Sequence, residues 1–204
     1  MNAPARPRVY IIDDDPHIVE AVSLLVESVG LEAEGHCSAA QFLESITASA
    51  CGCVITDVRM PGMSGLELQQ QLGRDGIDLP IIVLTGFGDV PVAVRAMKQG
   101  AMDFLEKPYR PDELLEKVQK AVSEDAGQRE RRRRAAETRD RLNSLTPRER
   151  EVMGRIAEGA ANKVVAIELG ISERTVEIHR SRVMKKMGVR SLAELVQRLT
   201  QAAL

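Results

Sequence analysis

The sequence predicts an α/β domain built on a five-stranded parallel sheet, followed by a smaller all-α domain of four helices. Two observations carry that prediction. In the first half, short apolar runs alternate with helical patterns, and the runs end on residues able to do chemistry. In the second half, four short helical patterns follow one another, separated by caps and glycine turns. Strand–helix alternation implies a parallel sheet with right-handed crossovers, and helix–turn–helix spacing implies a compact helical unit.

The strands come first. Val9-Tyr10-Ile11-Ile12 runs into Asp13-Asp14-Asp15, Cys53-Val54-Ile55-Thr56 into Asp57, Ile81-Ile82-Val83-Leu84 into Thr85, and Phe104-Leu105-Glu106 into Lys107-Pro108. Short runs of this kind read as strands buried on both faces. A weaker strand is expected over Glu32 to Cys37, and the last over Met102 to Leu105. Pro16 opens a helix that Gly30 closes, and further helices are expected over Ala39–Thr47, Leu66–Leu72 and Val90–Gln99. Pro111 opens the helix after the last strand, expected to reach about Ser123.

Residues 125–143 form a basic joint between a first domain over 1–124 and a second over 144–204. The run Arg129-Glu130-Arg131-Arg132-Arg133-Arg134 lacks an apolar face and reads as a solvated linker, helix or coil, or as a phosphate-contacting arm. Beyond it, Thr146-Pro147-Arg148-Glu149 is a capping box closed at Gly159. Asn162 can cap a second helix that stops at Gly170, Ser172 a third that stops at Gly188, and Ser191 with Glu194 a fourth.

Composition narrows the function. Hydrophobic residues make up 44% and charged residues 28%, ordinary for a globular chain. No apolar run reaches the roughly 20 residues needed to span a bilayer, and the N-terminus lacks the apolar stretch of a signal peptide; a cytoplasmic protein without membrane partners is expected. Cys37, Cys51 and Cys53 do not have zinc or redox spacing. The net charge of −2 conceals a division. Through Glu124 there are 10 Lys and Arg against 19 Asp and Glu, a balance of −9; beyond it there are 18 against 11, a balance of +7. The basic half is suited to a polyanion.

In open α/β sheets the ligand lies beyond the carboxyl ends of the strands. Carboxylates, a hydroxyl and an ammonium therefore meet at one edge. Adjacent carboxylates call for a cation, and oxygen ligands in small number suit Mg²⁺ rather than Zn²⁺. A carboxylate held there can attack phosphorus to give an aspartyl phosphate, with Lys107 and Thr85 stabilising phosphoryl oxygens. Aspartyl-phosphate phosphatases need a second carboxylate two residues beyond the nucleophile, where this chain has Arg59. A nucleotide-binding domain needs a glycine-rich loop after its first strand, where this chain has acids.

Ile12-Asp13-Asp14-Asp15, the run from Asp57 through Met60-Pro61-Gly62 to Gly65, Leu84-Thr85-Gly86 and Lys107-Pro108 resemble the receiver domain of two-component response regulators. The resemblance implies a flavodoxin-like sheet with Asp57 as phosphoacceptor. It implies Mg²⁺ on Asp14, Asp57 and the backbone carbonyl of Arg59, with Asp13 completing the acid pocket. Thr85 and Phe104 fall at the switch positions. Receivers often carry Tyr at the second, so Phe104 can rotate but cannot donate a hydrogen bond. Such a domain accepts its phosphoryl group from a sensor histidine kinase and is not an enzyme beyond its own phosphorylation and dephosphorylation.

On the third helix of the second half, Val176, Val183 and Met187 form a core stripe with Met184 at its flank. Arg174, Ile178, Ser181, Arg182 and Lys185 lie opposite, with Thr175 and Glu177 near the borders. An isoleucine among cations suits thymine methyl groups in a major groove, with Arg reading guanine and Glu accepting from cytosine. Lys185, Lys186 and Lys163 suit phosphates, Arg180 packs its stem with its head at the rim, and His179 serves either a phosphate or a cap. Leu145-Thr146-Pro147-Arg148-Glu149, Asn162-Lys163 and Thr175-Val176-Glu177-Ile178-His179-Arg180 resemble the LuxR-type helix-turn-helix. With Gly88-Asp89-Val90-Pro91 and Arg95-Ala96-Met97-Lys98, the chain resembles the FixJ-type regulators. That resemblance implies a phosphorylation-dependent transcriptional activator that binds double-stranded DNA as a homodimer and works with RNA polymerase. It also implies that the last helix helps dimerise and that the receivers pair through their fourth and fifth helices.

Overall fold

The computed structural model describes residues 6–86 and 90–202. The loop Gly86-Phe87-Gly88 and the motif Gly88-Asp89-Val90-Pro91 therefore fall partly outside the described residues. The chain divides into two compact units, residues 1–128 and 129–204.

The first unit is a parallel sheet of order β2-β1-β3-β4-β5, with strands Arg8–Ile12, Glu32–His36, Gly52–Asp57, Ile81–Thr85 and Asp103–Glu106 numbered β1 to β5. Helices α1 (Pro16–Glu27), α2 (Ala39–Ser45), α3 (Gly65–Arg74) and α4 (Val90–Lys98) connect them, and α5 (Pro111–Asn143) follows β5. Alternation along each strand divides the core. Val9, Ile11, Cys53, Ile55, Ile82 and Leu84 pack with Val22 and Val26 of α1 and Leu114 and Val118 of α5. Tyr10, Ile12, Val54 and Val83 face the other way, onto Phe42, Leu68, Leu72 and Ala96 of α2, α3 and α4. Strands β1, β3 and β4 are buried on both faces as expected, whereas β5 is not: it is an edge strand, and Phe104 is 41% exposed.

Several ends differ from expectation. Helix α1 stops at Glu27 rather than running on to Val29 before Gly30, and α2 stops at Ser45 rather than Thr47. Helix α3 is longer than expected at both ends: the capping box of Ser64 and Glu67 starts it at Gly65, and it runs on to Arg74. The largest difference is α5, which does not end near Ser123 but continues through the joint to Asn143. Residues 124–143 contain no proline and many strong helix formers. Glu130 pairs with Arg133 at 2.8 Å and Arg134 at 2.6 Å, and Glu137 with Arg141 at 2.8 Å, all at helical spacing. Asp125, at the start of the expected linker, is 3% exposed and accepts from the Gly52 N–H at 2.9 Å, so it belongs to the packing of the first unit.

The second unit holds α6 (Pro147–Ala157), α7 (Asn162–Leu169), α8 (Glu173–Met187) and α9 (Leu192–Ala202) around Val152, Ile156, Val165, Val176, Val183, Met187 and Leu195. The Thr146–Glu149 capping box, the Ser172 cap and the left-handed stops at Gly170 and Gly188 all form. Asn162 does not cap α7. Ala161, which has no side-chain acceptor, occupies that position, and the Asn162 Oδ1 instead accepts from the Arg180 guanidinium at 3.1 Å.

Candidate functional site

Strand register builds the first site. Ile12 stands opposite Thr56, so the residues that follow, Asp13 and Asp57, emerge side by side. Asp57 stands opposite Leu84 and Thr85 opposite Glu106, which brings Thr85 and Lys107 to the same edge. The chain runs from β1 outward to β2 on one side and to β3 on the other, and ligands bind where the order reverses in this way.

The side chains converge there. The Lys107 ammonium donates to Asp13 Oδ2 at 2.7 Å and to Asp57 Oδ1 at 2.6 Å. Asp13 Oδ1 accepts from the Asp15 N–H at 3.0 Å, and Asp57 Oδ2 from the Arg59 N–H at 2.6 Å. Asp13, Asp57 and Thr85 are buried, and Lys107 is half-buried. Burial alone would lower the Lys107 pKa, but its hydrogen bonds and charge interactions with Asp13 and Asp57 outweigh burial and raise it above the ordinary value. Asp15 caps α1 by accepting from the His17 N–H at 2.9 Å, so it is a helix cap rather than a pocket acid.

Asp14 is exposed at the rim, beside Arg59, on a cavity of about 620 Å³ that Met60, Glu67, Gln70 and Arg95 also line. Among the described residues, no three His, Cys, Asp or Glu side chains stand close enough together to enclose a metal. One or two carboxylates with a backbone carbonyl and water is the kind of oxygen set that Mg²⁺ accepts, so the residues at this edge fit a partly hydrated Mg²⁺ and not a closed zinc cage.

Sequence reasoning did not single out Gly65. A Cβ there would stand 2.2 Å from the Asp57 carbonyl oxygen and 2.9 Å from Thr56 Oγ1. Only glycine lets α3 begin this close to the strand end that presents Asp57. The available signal was its place just after Ser64, at the start of the capped helix.

The second site is the outer face of α8. Arg174, Glu177, Ile178, Ser181, Arg182 and Lys185 are exposed, with Ile178 at 45%, and Lys163 is exposed on α7. Thr175 is half-buried, its hydroxyl 2.8 Å from Ser172 Oγ. His179 is half-buried with Nδ1 enclosed and without a hydrogen-bond partner. Lys186 departs from the expectation of a phosphate contact. Its ammonium donates to Glu149 Oε2 at 2.6 Å and to the Ser144 carbonyl at 3.0 Å, because the end of α8 turns that side chain towards α6. Lys186 holds the Glu149 carboxyl well below its usual range, at about 2, with the Thr146 N–H adding to the effect.

A five-stranded parallel sheet with paired carboxylates and an ammonium at its carboxyl edge, followed by a helix-turn-helix, defines a signal-controlled DNA-binding protein. The family "Response regulator receiver domain" matches residues 9–119, and "Bacterial regulatory proteins, luxR family" matches 143–199. The chain is 47% identical over 189 residues to the response regulator protein TodT of Pseudomonas putida, covering 93% of this chain and 83% of that one. It is 46% identical over 189 residues to the transcriptional regulatory protein FixJ of Azorhizobium caulinodans, covering 93% and 90%. The solved structure of the response regulator StyR superposes with a TM-score of 0.87 at 41% identity, covering 97% of this chain and all of that one. The chain belongs to the two-component response regulators of the FixJ type, a receiver domain followed by a LuxR-type DNA-binding domain, and is a transcriptional regulator.

Proposed function

We propose that Asp57 is the phosphoacceptor and that the chain receives its phosphoryl group from a sensor histidine kinase. The single observation that carries this reading is the Lys107 ammonium held between Asp13 and Asp57 at 2.7 and 2.6 Å. One Asp57 oxygen attacks phosphorus, the bond from phosphorus to the donor nitrogen breaks, and the imidazole leaves with that electron pair. Lys107 then exchanges its bond to Asp57 for one to a phosphoryl oxygen while keeping Asp13, and the Thr85 hydroxyl donates to another oxygen. Asp14, Asp57 and the Arg59 carbonyl would hold Mg²⁺, which when bound offsets negative charge on the phosphoryl oxygens. The 620 Å³ cavity beside Asp14 and Arg59 leaves room for the donor.

On the DNA-binding side, Arg174, Ile178 and Arg182 read bases, with Glu177 and Ser181 beside them, while Lys163 and Lys185 meet phosphates. Thr175 and His179 stand at the edge of this surface. Lys186 is withdrawn from the set because Glu149 holds it. An apolar patch of Ala93, Val94, Met97 and Phe104 on α4 and β5 supports pairing of phosphorylated receivers, and a dimer presents two α8 helices to half-sites about one helical turn apart or a multiple of it. Activation through RNA polymerase and a cytoplasmic location complete the reading; among the described residues, no helix is long and apolar enough to cross a membrane.

The test is direct. Acetyl phosphate with Mg²⁺ labels the protein, and Asp57→Asn or a chelator removes the label. Persistent labelling of the Asp57→Asn variant overturns the assignment.

A further inference from the structure

The last turn of a helix leaves carbonyls without partners in the helix and carries partial negative charge. At the end of α8 each of the last two carbonyls is met by an arginine from a different helix. Arg198 of α9 donates to the Met187 carbonyl at 2.6 Å, and Arg141 of α5 reaches the Lys186 carbonyl at 3.4 Å. Arg141 is itself fixed, donating to Glu137 Oε1 through Nε at 3.2 Å and through a terminal nitrogen at 2.8 Å. Its guanidinium lies over Gly188, where a Cβ would stand 2.0 Å from the nearer terminal nitrogen.

The contact is reciprocal. Lys186 of α8 reaches back to the Ser144 carbonyl, one residue past the end of α5, and to Glu149, a carboxylate only 3% exposed on α6. The end of α5 and the end of α8 therefore hold each other through two side chains running in opposite directions. Neither Arg141 nor Lys186 is on the exposed face of α8.

We propose that Arg141 is a positioning residue for DNA reading: by locking the last turn of α5 onto the last turn of α8, it sets the pose in which α8 presents Arg174, Ile178 and Arg182 to the bases. The proposal rests on the reading of α8 as the recognition helix. Base contacts read specific donor and acceptor patterns and so require a defined geometry, whereas phosphate contacts carry no sequence information. Loosening the lock therefore lowers affinity for a specific sequence more than affinity for DNA in general.

The experiment uses the full chain treated with acetyl phosphate and Mg²⁺. The probes are a duplex selected by the unaltered protein from a random pool and a scrambled duplex of the same composition. The quantity read is the ratio of the two affinities. Arg141→Ala is expected to lower that ratio roughly tenfold, the size of one lost base contact, and Arg141→Lys to restore part of it. Gly188→Ala, which drives a methyl group into the guanidinium, lowers the ratio as well. In the Arg141→Ala background it lowers the ratio no further, which separates the displaced arginine from backbone strain at Gly188, whose φ is +63°. Circular dichroism confirms that each variant is folded. An unchanged ratio for folded Arg141→Ala, where Arg182→Ala lowers it, overturns the lock alone. Unchanged ratios for both overturn the reading of α8 and the lock together.

Discussion

The edge of the sheet and the outer face of α8 solve opposite problems with the same residue types. At the sheet edge, charges from the ends of β1 and β3 and from the turn after β5 converge, with the Lys107 ammonium within 2.7 Å of both carboxylates, and are largely removed from water: side-chain exposure is 24% for Lys107, 3% for Asp13 and 11% for Asp57. On α8 the cations come from one helix and stay in solvent. A converged, half-buried cluster can hold a reactive geometry, but losing one partner leaves the others uncompensated. An exposed face costs little to maintain, and its side chains remain available to a partner carrying opposite charge.

The largest expected consequence of that contrast is at Lys107. Lys107→Met leaves two carboxylates facing each other without their shared cation, and the receiver unit should lose about 3 kcal/mol of unfolding free energy in chelator at neutral pH. Millimolar Mg²⁺ should restore part of the loss. Urea unfolding measures both, and a variant as stable as the parent in chelator would show that the cluster is no more interdependent than the exposed face.

A smaller effect is expected on α8, and it should divide by role. Arg182→Ala should cost roughly 1–3 kcal/mol on a selected sequence and relax preference at one position. Lys185→Ala should weaken all sequences alike and lower the salt dependence by about one counterion. Neither should change unfolding by more than about 0.5 kcal/mol, because neither side chain is buried. Equal losses on selected and random DNA for Arg182→Ala would contradict base reading.

The effect that depends on pH belongs to Glu149, which sits in the DNA-binding unit but behaves as the sheet edge does. Its carboxyl is held at about 2 against an ordinary 4.5, first by Lys186 and then by the Thr146 N–H. A depressed carboxylate adds stability that is complete above the unfolded value and lost as pH falls through the folded one. Stability of this unit should therefore decline between about pH 4.5 and 2, and Glu149→Gln should flatten the decline. A profile as steep in the Glu149→Gln variant as in the parent would place the linkage elsewhere.

The two regions were not equally open to reading from sequence. The stripe Val176, Val183, Met187 and the exposed Ile178 follow from helical period alone, since every residue concerned lies on one regular element. Asp13, Asp57, Thr85 and Lys107 were recognisable as strand-end residues, because each closes a run of the right length and type. By sequence Lys186 reads as a phosphate contact because it neighbours Lys185, and no local rule says that α6 supplies the buried carboxylate that holds it. Residues 125–143 read as helix or coil from sequence because their polar composition lacks an apolar stripe. The Glu–Arg pairs along them, with proline absent, are what sustain the helix.

The sequence by itself determined the alternation of strands and helices, their caps at Thr146 and Ser172, and the residues that stand at the strand ends. These depend on interactions within a few positions of each other, so the chain carries them locally. Only the tertiary structure decided that Lys107 bridges Asp13 and Asp57 across 94 and 50 positions, that Asp125 ties to Gly52 across 73, and that Arg141 closes over Gly188. Those pairings depend on strand register and helix packing, which the whole hydrophobic core sets at once.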